Sequence, residues 1–456
     1  MAGTGLSGAV PPRLGAEVEL EITKVTVGGH GLADLDGRRV LVPSAVPGER
    51  ILVRLARIWD SHIEATPLRT LRAAPDQLRP RCKHFEECGG CLWQHLPYDR
   101  QLGLKEEIVR DALAEIIPVP EKVREQLPGR VLPVIPSPQI YYYRNKVELT
   151  FGFVTPPGGR QAPPASFSRT IPLESGVGLG YHRPGTWSTI LPIDECHLYD
   201  ERIPTILLEA REFLRHSRLP VYNPKTHRGV LRTLLLRRGV QTGEEMVCFL
   251  VAARKKDLEP MFQTFLRFGS RPAVTSLLIV EHFGLSDKPQ KVPRVHILKG
   301  NPTIRERLFD LSFDLSPFSF FQTNTLGAEK LYATIASALS LTGRETLLDC
   351  YCGLGSIGQY LSRFCNHVVG VESHPSAIED ALQSAGKNRI ANISFYHGRA
   401  EEVLVRKLPP KGKYAFSAVV LDPPPRGAPR ERHTGRARSS ACEDRLRLLQ
   451  SCDPRP

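Results

Sequence analysis

The 456-residue chain is long enough for about two to four domains with separate cores. Its 41% hydrophobic and 24% charged content is that of a soluble globular protein. A formal net charge of +13 favours a polyanionic partner, nucleic acid before membrane, and no apolar run approaches the roughly 20 residues of a membrane span.

Residues 13–70 predict a small β module. "AEVELEITKVTV" and "ERILVRLARIWDSHIEATPLRTL" alternate apolar and polar residues between the turns "GGHG", "DLDGRR" and "SAVPGER". Five short strands of this kind suit an OB-like barrel, an oligonucleotide-binding shape, or a β domain that only packs against its neighbour. Residues 78–127 hold a cysteine knot, "RCKHFEECGGCLW", and then a long amphipathic helix through "YDRQLGLKEEIVRDALAEII". Residues 128–305 read as mostly strand: "YYYRNKVELTFGF", "GVGLGYHR", "VLRTLLLRR", "MVCFLVAAR" and "VTSLLIVEHFG". A Pro/Gly-rich surface insertion at 155–172 interrupts them. Residues 306–425 alternate helix and strand, from "AEKLYATIASAL" through "TLLDCY", "SIGQYLSRF", "HVVGVE", "AIEDALQSAGKN" and "ISFYHG" to "SAVVLDPP", which predicts a doubly wound sheet. Residues 426–456 form an Arg-rich tail without a strand-like run. The fold class expected is therefore multidomain α/β.

"LLDCYCGLGSIG" runs an apolar strand into Gly353-Leu354-Gly355 and then a helix. Glycines there let the backbone approach a ligand at the carboxyl edge of the sheet. Glu372 ends the next strand, where a carboxylate can accept both hydroxyls of a ribose. Gly358 completes a GxGxxG pattern, so a dinucleotide is the competing ligand. Asp422, followed by prolines in "AVVLDPPP", favours methyl transfer: hydride transfer has no use for an acid there, whereas a methyl acceptor needs a pocket beside the sulfonium of S-adenosylmethionine.

The N-terminus "MAGTGLSGAVPPRLGAEVE" lacks the basic and apolar regions of a secretory signal, so an intracellular protein, cytoplasmic or organellar, is expected. In a reducing compartment ten cysteines suggest metal binding or catalysis rather than disulfides. Cys82, Cys88 and Cys91 are one thiolate short of a four-ligand site, and Cys196 stands apart in "DECHLYD". Zinc sites usually carry paired C-x2–4-C spacings, and no second pair accompanies this knot.

Taken together, the Cys82-x5-Cys88-x2-Cys91 knot, "YRNKVELTFG", "SPFSFFQTNTLGAEKLY" and "LLDCYCGLGSIG…VVGVE…LDPP" resemble the RNA 5-methyluridine (uracil-C5) methyltransferase family over residues 13 to about 425. The subgroup most similar is that of bacterial-type 23S rRNA methyltransferases. The resemblance implies an N-terminal TRAM domain, a central β-rich RNA-binding domain and a Rossmann-like methyltransferase domain, incomplete at its end. It implies a [4Fe–4S] cluster on Cys82, Cys88, Cys91 and Cys196, with a structural role, and an S-adenosylmethionine pocket formed by Gln322, Tyr351, Glu372 and Asp422. Ser356 and Arg399 fall where other members approach the cofactor, although Arg399 replaces a smaller polar residue. Tyr143, Arg144 and Lys146 are candidates to hold RNA, or else a solvated strand edge with a core tyrosine.

The chemistry implied is addition of a thiolate to C6 of uracil, attack of C5 on the methyl group, removal of the C5 proton by a base, and elimination of the thiol. The family's nucleophile lies in Ser-Cys-Asn/Asp-Pro, and Ser451-Cys452-Asp453-Pro454 offers Cys452 for that role, ahead of Cys442. Its surroundings depart from the family: the preceding strand and the final segment with a catalytic glutamate are missing, so a truncated or divergent C-terminal part is expected. Three readings follow. The first is an RNA uracil-C5 methyltransferase acting on rRNA or tRNA as a monomer. The second is a non-catalytic product that keeps RNA and cofactor binding. The third is a radical methylthiotransferase, disfavoured because that class uses C-x3-C-x2-C.

Overall fold

The computed structural model describes residues 12–116, 131–154, 176–184, 186, 188–284, 294–404 and 415–423. The 155–172 insertion, the 426–456 tail, Cys442 and Cys452 lie outside the described residues. The fold is mixed α/β. No helix among the described residues is long and apolar enough to cross a membrane.

The N-terminal sheet has six strands, not five: β1 (Glu17–Glu21), β2 (Lys24–Val25), β3 (Gly31–Leu35), β4 (Arg38–Val42), β5 (Arg50–Ile58) and β6 (Ile63–Arg72). Their order is β1-β5-β6-β4-β3-β2. The extra strand is β2, two residues long and too short to show an alternation. Inward residues such as Val40, Val42, Val53 and Ile63 are fully buried, as the period of two requires.

After the short helix α1 (Phe85–Cys88) and the long α2 (Tyr98–Ile116), the chain enters a seven-stranded sheet. Its strands are β7 (Lys146–Phe153), β8 (Val177–His182), β9 (Ile190–Pro192), β10 (Leu231–Arg238), β11 (Glu245–Val251), β12 (Val274–Glu281) and β13 (Arg294–Lys299), in the order β13-β12-β11-β10-β7-β8-β9. This region is less purely strand than its sequence suggests. Helix α3 (Ile203–Ser217) and helix α4 (Phe262–Phe268) pack on one face through Ile206, Leu207, Phe213 and Phe265.

A hairpin of β14 (Ile304–Leu308) and β15 (Leu311–Leu315) leads into α5 (Thr325–Leu339), which is capped by Asn324 accepting from the Gly327 N–H at 2.8 Å. The last sheet is wholly parallel: β16 (Thr346–Cys350), β17 (His367–Glu372), β18 (Ile393–His397) and β19 (Ala418–Leu421), ordered β18-β17-β16-β19. Helices α6 (Ser356–Leu361) and α7 (Pro375–Lys387) make its crossovers. Leu347 and Val368 pack on one face and Leu348 and Val369 on the other, so both faces are covered. Strand order reverses between β16 and β19, and the carboxyl edge at such a switch point is where open α/β sheets bind ligands.

Candidate functional site

Three acids converge on that edge. Glu372 ends β17 and accepts from the Gly353 N–H at 3.1 Å, so the acid and the glycine turn are in direct contact. Its other oxygen accepts from the His374 N–H at 2.8 Å and Ser373 Oγ at 3.1 Å. Asp422 follows β19 and accepts from Gln322 Nε2 at 3.1 Å. Asp349, on β16 beneath the turn, accepts from the Gly358 N–H at 3.0 Å, while its Oδ1 is buried without a partner. The charges of Glu372 and Asp422 attract a cation, and the sulfonium of S-adenosylmethionine is one.

The turn is packed closely against β18. Gly355 takes φ 69, and a Cβ there would come within 2.6 Å of the Phe395 ring, so only glycine fits. Tyr351 adopts φ 63, a left-handed conformation costly for an aromatic residue, and is 37% exposed beside the turn. Phe320 is 70% exposed on the approach to Gly353. Ser356 Oγ is tied to Tyr332 Oη at 2.7 Å, and Arg399 precedes the short helix at Ala400, paired at 3.9 Å with Glu401.

Asp349 gives this edge a pH signature. Burial raises its pKa to about 7; the Gly358 N–H opposes the rise, and the charges of Asp422 and Glu372 add to it. The folded value therefore exceeds the unfolded one of about 3.9. The fold holds an extra proton between those values, so its stability falls as pH rises from about 4 to about 7 and levels off above that. Asp349→Asn should remove this dependence. Relative to the parent it should gain roughly 3–4 kcal/mol between pH 4 and 8. Melting temperatures of both proteins across that range are the check; parallel pH profiles would refute it.

A second site forms where α1 meets the loop after β9. Cys82, Cys88, Cys91 and Cys196 line one cavity of ≈ 310 Å³, with Arg144 and Tyr181 in the wall. The segments are tied across it: His84 Nε2 meets Asp194 Oδ1 at 2.7 Å, Lys83 Nζ meets Asp194 Oδ2 at 2.7 Å, and the Lys83 N–H donates to Glu195 at 2.7 Å. Gln94 donates to Cys91 Sγ at 3.3 Å and accepts from the Cys82 N–H at 2.9 Å. Tyr181 Oη lies 3.7 Å from Cys196 Sγ. Burial pushes the Cys82 thiol up to about 12 and raises those of Cys88 and Cys91.

Among the described residues no three His, Cys, Asp or Glu side chains are grouped to hold a metal ion. A tetrahedral zinc site gathers its sulfurs around one ion at about 2.3 Å. The four thiols and Arg144 line one cavity wall, so the 82–91 segment and the loop carrying Cys196 share a surface. The remaining described cysteines are elsewhere: Cys248, Cys350 and Cys365 are buried on or beside strands, and Cys352 is half-buried under the glycine turn.

Of the residues expected to hold RNA, Arg144 lines the thiol cavity and Lys146 pairs with Glu148 at 2.9 Å. Tyr143 is half-buried. Sequence reasoning passed over Asn145, which is fully buried between the central sheet and the Gln322 loop. It also passed over the Arg81 guanidinium, whose carbon lies 5.0 and 5.2 Å from the ring centres of Tyr141 and Tyr142.

A glycine turn under a strand-end carboxylate, at the switch point of a parallel sheet, defines an α/β fold that binds a nucleoside cofactor such as S-adenosylmethionine or a dinucleotide. The comparisons with known proteins narrow the class. A family model described as tRNA (uracil-5-)-methyltransferase matches residues 301–433. An RNA methyltransferase of Clostridium acetobutylicum is 32% identical, with 86% of this chain and 80% of that protein covered. One of Porphyromonas gingivalis is 34% identical, with 90% and 86% covered. Among solved structures, the Pyrococcus abyssi tRNA (uracil-54, C5)-methyltransferase in complex with S-adenosyl-L-homocysteine aligns with a TM-score of 0.64 at 28% identity, covering 89% of this chain and 83% of that one. The chain belongs to the RNA uracil-C5 methyltransferase family and is an enzyme of that class.

Proposed function

We propose that the chain transfers the methyl group of S-adenosylmethionine to C5 of uridine in rRNA, with tRNA as the competing substrate. The observation that carries this reading is the 3.1 Å contact between Glu372 and the Gly353 N–H. It brings a strand-end carboxylate, which in this reading takes the ribose hydroxyls, against the glycine bend. Glu372 then grips the sugar hydroxyls, Tyr351 borders the donor, and Gln322 and Asp422 line the side from which the acceptor base arrives. Cys452 remains the proposed nucleophile: its thiolate adds to C6, C5 takes the methyl group, a base removes the C5 proton, and the thiolate leaves with the C5–C6 double bond restored. The target base must leave its stack, or be presented in a loop, to be reached from both sides.

In the same reading residues 13–70 are a TRAM barrel and 128–305 an RNA-binding platform. Residues 78–127 carry the cysteine knot, and 306–425 bind the donor. Cys82, Cys88, Cys91 and Cys196 hold a [4Fe–4S] cluster that fastens the 82–91 segment to the central sheet. Arg144 offsets the negative charge of the thiolates there.

Incubation with methyl-labelled S-adenosylmethionine and separate rRNA and tRNA pools, followed by nucleoside analysis, tests the reading. Label in 5-methyluridine from rRNA is the expected result, and label from tRNA alone would exchange the substrate. Label in another nucleoside, or donor binding without transfer, would overturn the proposed reaction.

A further inference from the structure

The side chain that holds Asp422, that of Gln322, stands on a loop with no regular structure of its own between β15 and α5. One residue of the neighbouring sheet's entry, Asn145, makes three of the bonds that fix that loop. The Asn145 N–H donates to the Thr323 carbonyl at 2.7 Å, and its side-chain amide donates to the Gln322 carbonyl at 2.8 Å and to Thr325 Oγ1 at 3.1 Å. The Asn145 carbonyl accepts from the Arg238 N–H at 2.8 Å, which anchors it to β10. Arg144 pairs with Asn324 as an isolated antiparallel bridge, so two consecutive residues align the whole 322–325 stretch.

Behind Asn145 the network continues, while Asn145 Oδ1 itself is buried without a partner. Thr325 Oγ1 donates to Glu306 at 2.9 Å, and this buried carboxylate also accepts from the Val240 and Gln241 N–H groups at 2.8 and 3.0 Å. Both Asn145 and Glu306 are 0% exposed. Each bond donated here would leave a buried donor or acceptor unpaired if the loop shifted, at the full cost of desolvating that group.

We propose that Asn145 is a positioning residue for methyl transfer. It fixes the Gln322 main chain so that the Gln322 side chain meets Asp422, and so couples the central sheet to the donor pocket. The inference rests on the donor-site reading above. Asn145 touches no reacting atom; it acts through Gln322.

Titration of the full chain with S-adenosyl-L-homocysteine tests it. Asn145→Leu, close in shape but without a donor, should weaken binding about tenfold, the equivalent of about 1.4 kcal/mol. Combined with Gln322→Ala it should weaken binding no further than Gln322→Ala alone. Phe265→Leu, a core substitution in α4 outside this network, should lower the melting temperature while leaving affinity within about twofold, which separates positioning from general packing. Asn145→Asp adds a pH readout: its carboxyl can donate to the Gln322 carbonyl only when protonated, so its affinity relative to the parent should recover as pH falls, whereas that of Asn145→Leu should not. It also serves if the leucine variant does not fold. Parent-like affinity of Asn145→Leu, full additivity with Gln322→Ala, or an equal loss in Phe265→Leu would overturn the inference. Glu372→Ala in the same series tells the two readings apart: if it binds like the parent, the donor site itself is misassigned; if it fails while Asn145→Leu binds normally, only the role of Asn145 is lost.

Discussion

Glu372→Ala is expected to weaken S-adenosyl-L-homocysteine binding by at least about a hundredfold. The figure follows from the number and kind of bonds. A hydrogen bond to a charged acceptor contributes about 1.5–3 kcal/mol, and a ribose diol offers two donors to one carboxylate. The rim is open to solvent, so the lower half of that range applies, about 3 kcal/mol in all. The same carboxylate orders the pocket before any ligand arrives, through the Gly353 N–H at 3.1 Å and the His374 N–H at 2.8 Å. Its loss removes both preorganisation and contact. Glu372→Gln keeps one acceptor oxygen and turns the other position into a donor, so a loss of about tenfold is expected, between parent and alanine variant. Calorimetric titration beside melting curves is the measurement. Affinity unchanged in a folded alanine variant would remove the basis for placing the donor at this edge.

How much of this was legible in the chain differs between its regions. "TLLDCYCGLGSIG", "HVVGVE" and "AVVLDPP" each carry a short apolar strand followed by glycine, acid or proline, and each became β16, β17 or β19 with the marked residue at the carboxyl edge. Periodicity and punctuation are local signals, and here the site is made of strand ends, so local signals were enough. Helix α3 was missed although Ile203, Ile206, Leu207, Ala210, Phe213 and Leu214 recur at helical spacing. The β-branched and leucine runs on either side led the whole region to be read as strand. Hairpin β14–β15 was lost for a different reason: two five-residue strands separated by Phe309 and Asp310 carry too few periods to declare themselves.

Long-range pairings were not readable at all. His84 and Asp194 are 110 positions apart, and only the folded chain shows their contact bringing Cys196 to the 82–91 segment. The resemblance named Cys196, but nothing near it in sequence says which face it turns to. Asn145 is the sharper case. One amide in "YRNKVE" has no periodic or compositional mark, and its partners Gln322 and Thr325 lie 177 and 180 positions away. Positioning residues that act between domains leave their signal in the partner, not in their own neighbourhood.

Cys196→Ser is expected to abolish stoichiometric iron binding at the thiol cavity. Protein reconstituted anaerobically with iron and sulfide should hold about four irons per chain and show the broad visible absorption of thiolate-bound iron. Serine in place of Cys196 leaves three thiols on the 82–91 segment and none from the loop across the cavity. Affinity should therefore fall, and so should the cross-link between the two segments. Without the cluster, the ties across the cavity include His84 and Lys83 to Asp194, the Lys83 N–H to Glu195, and Arg183 to Glu87. Lys83 is partly exposed and the others are ordinary hydrogen bonds and ion pairs, so each is weaker than an iron–thiolate bond. The parent should melt well above the variant when both are loaded, and the gap should shrink when both are stripped by a chelator. Cys248→Ser is the control: Cys248 is 0% exposed within β11, far from the cavity wall, and its replacement should lower stability without lowering iron content. Equal iron in Cys196→Ser and parent would exclude Cys196 as a ligand. One zinc per parent chain, with no sulfide and no visible absorption, would replace the cluster with a single-ion site and require the four sulfurs to draw inward from where they now line the cavity.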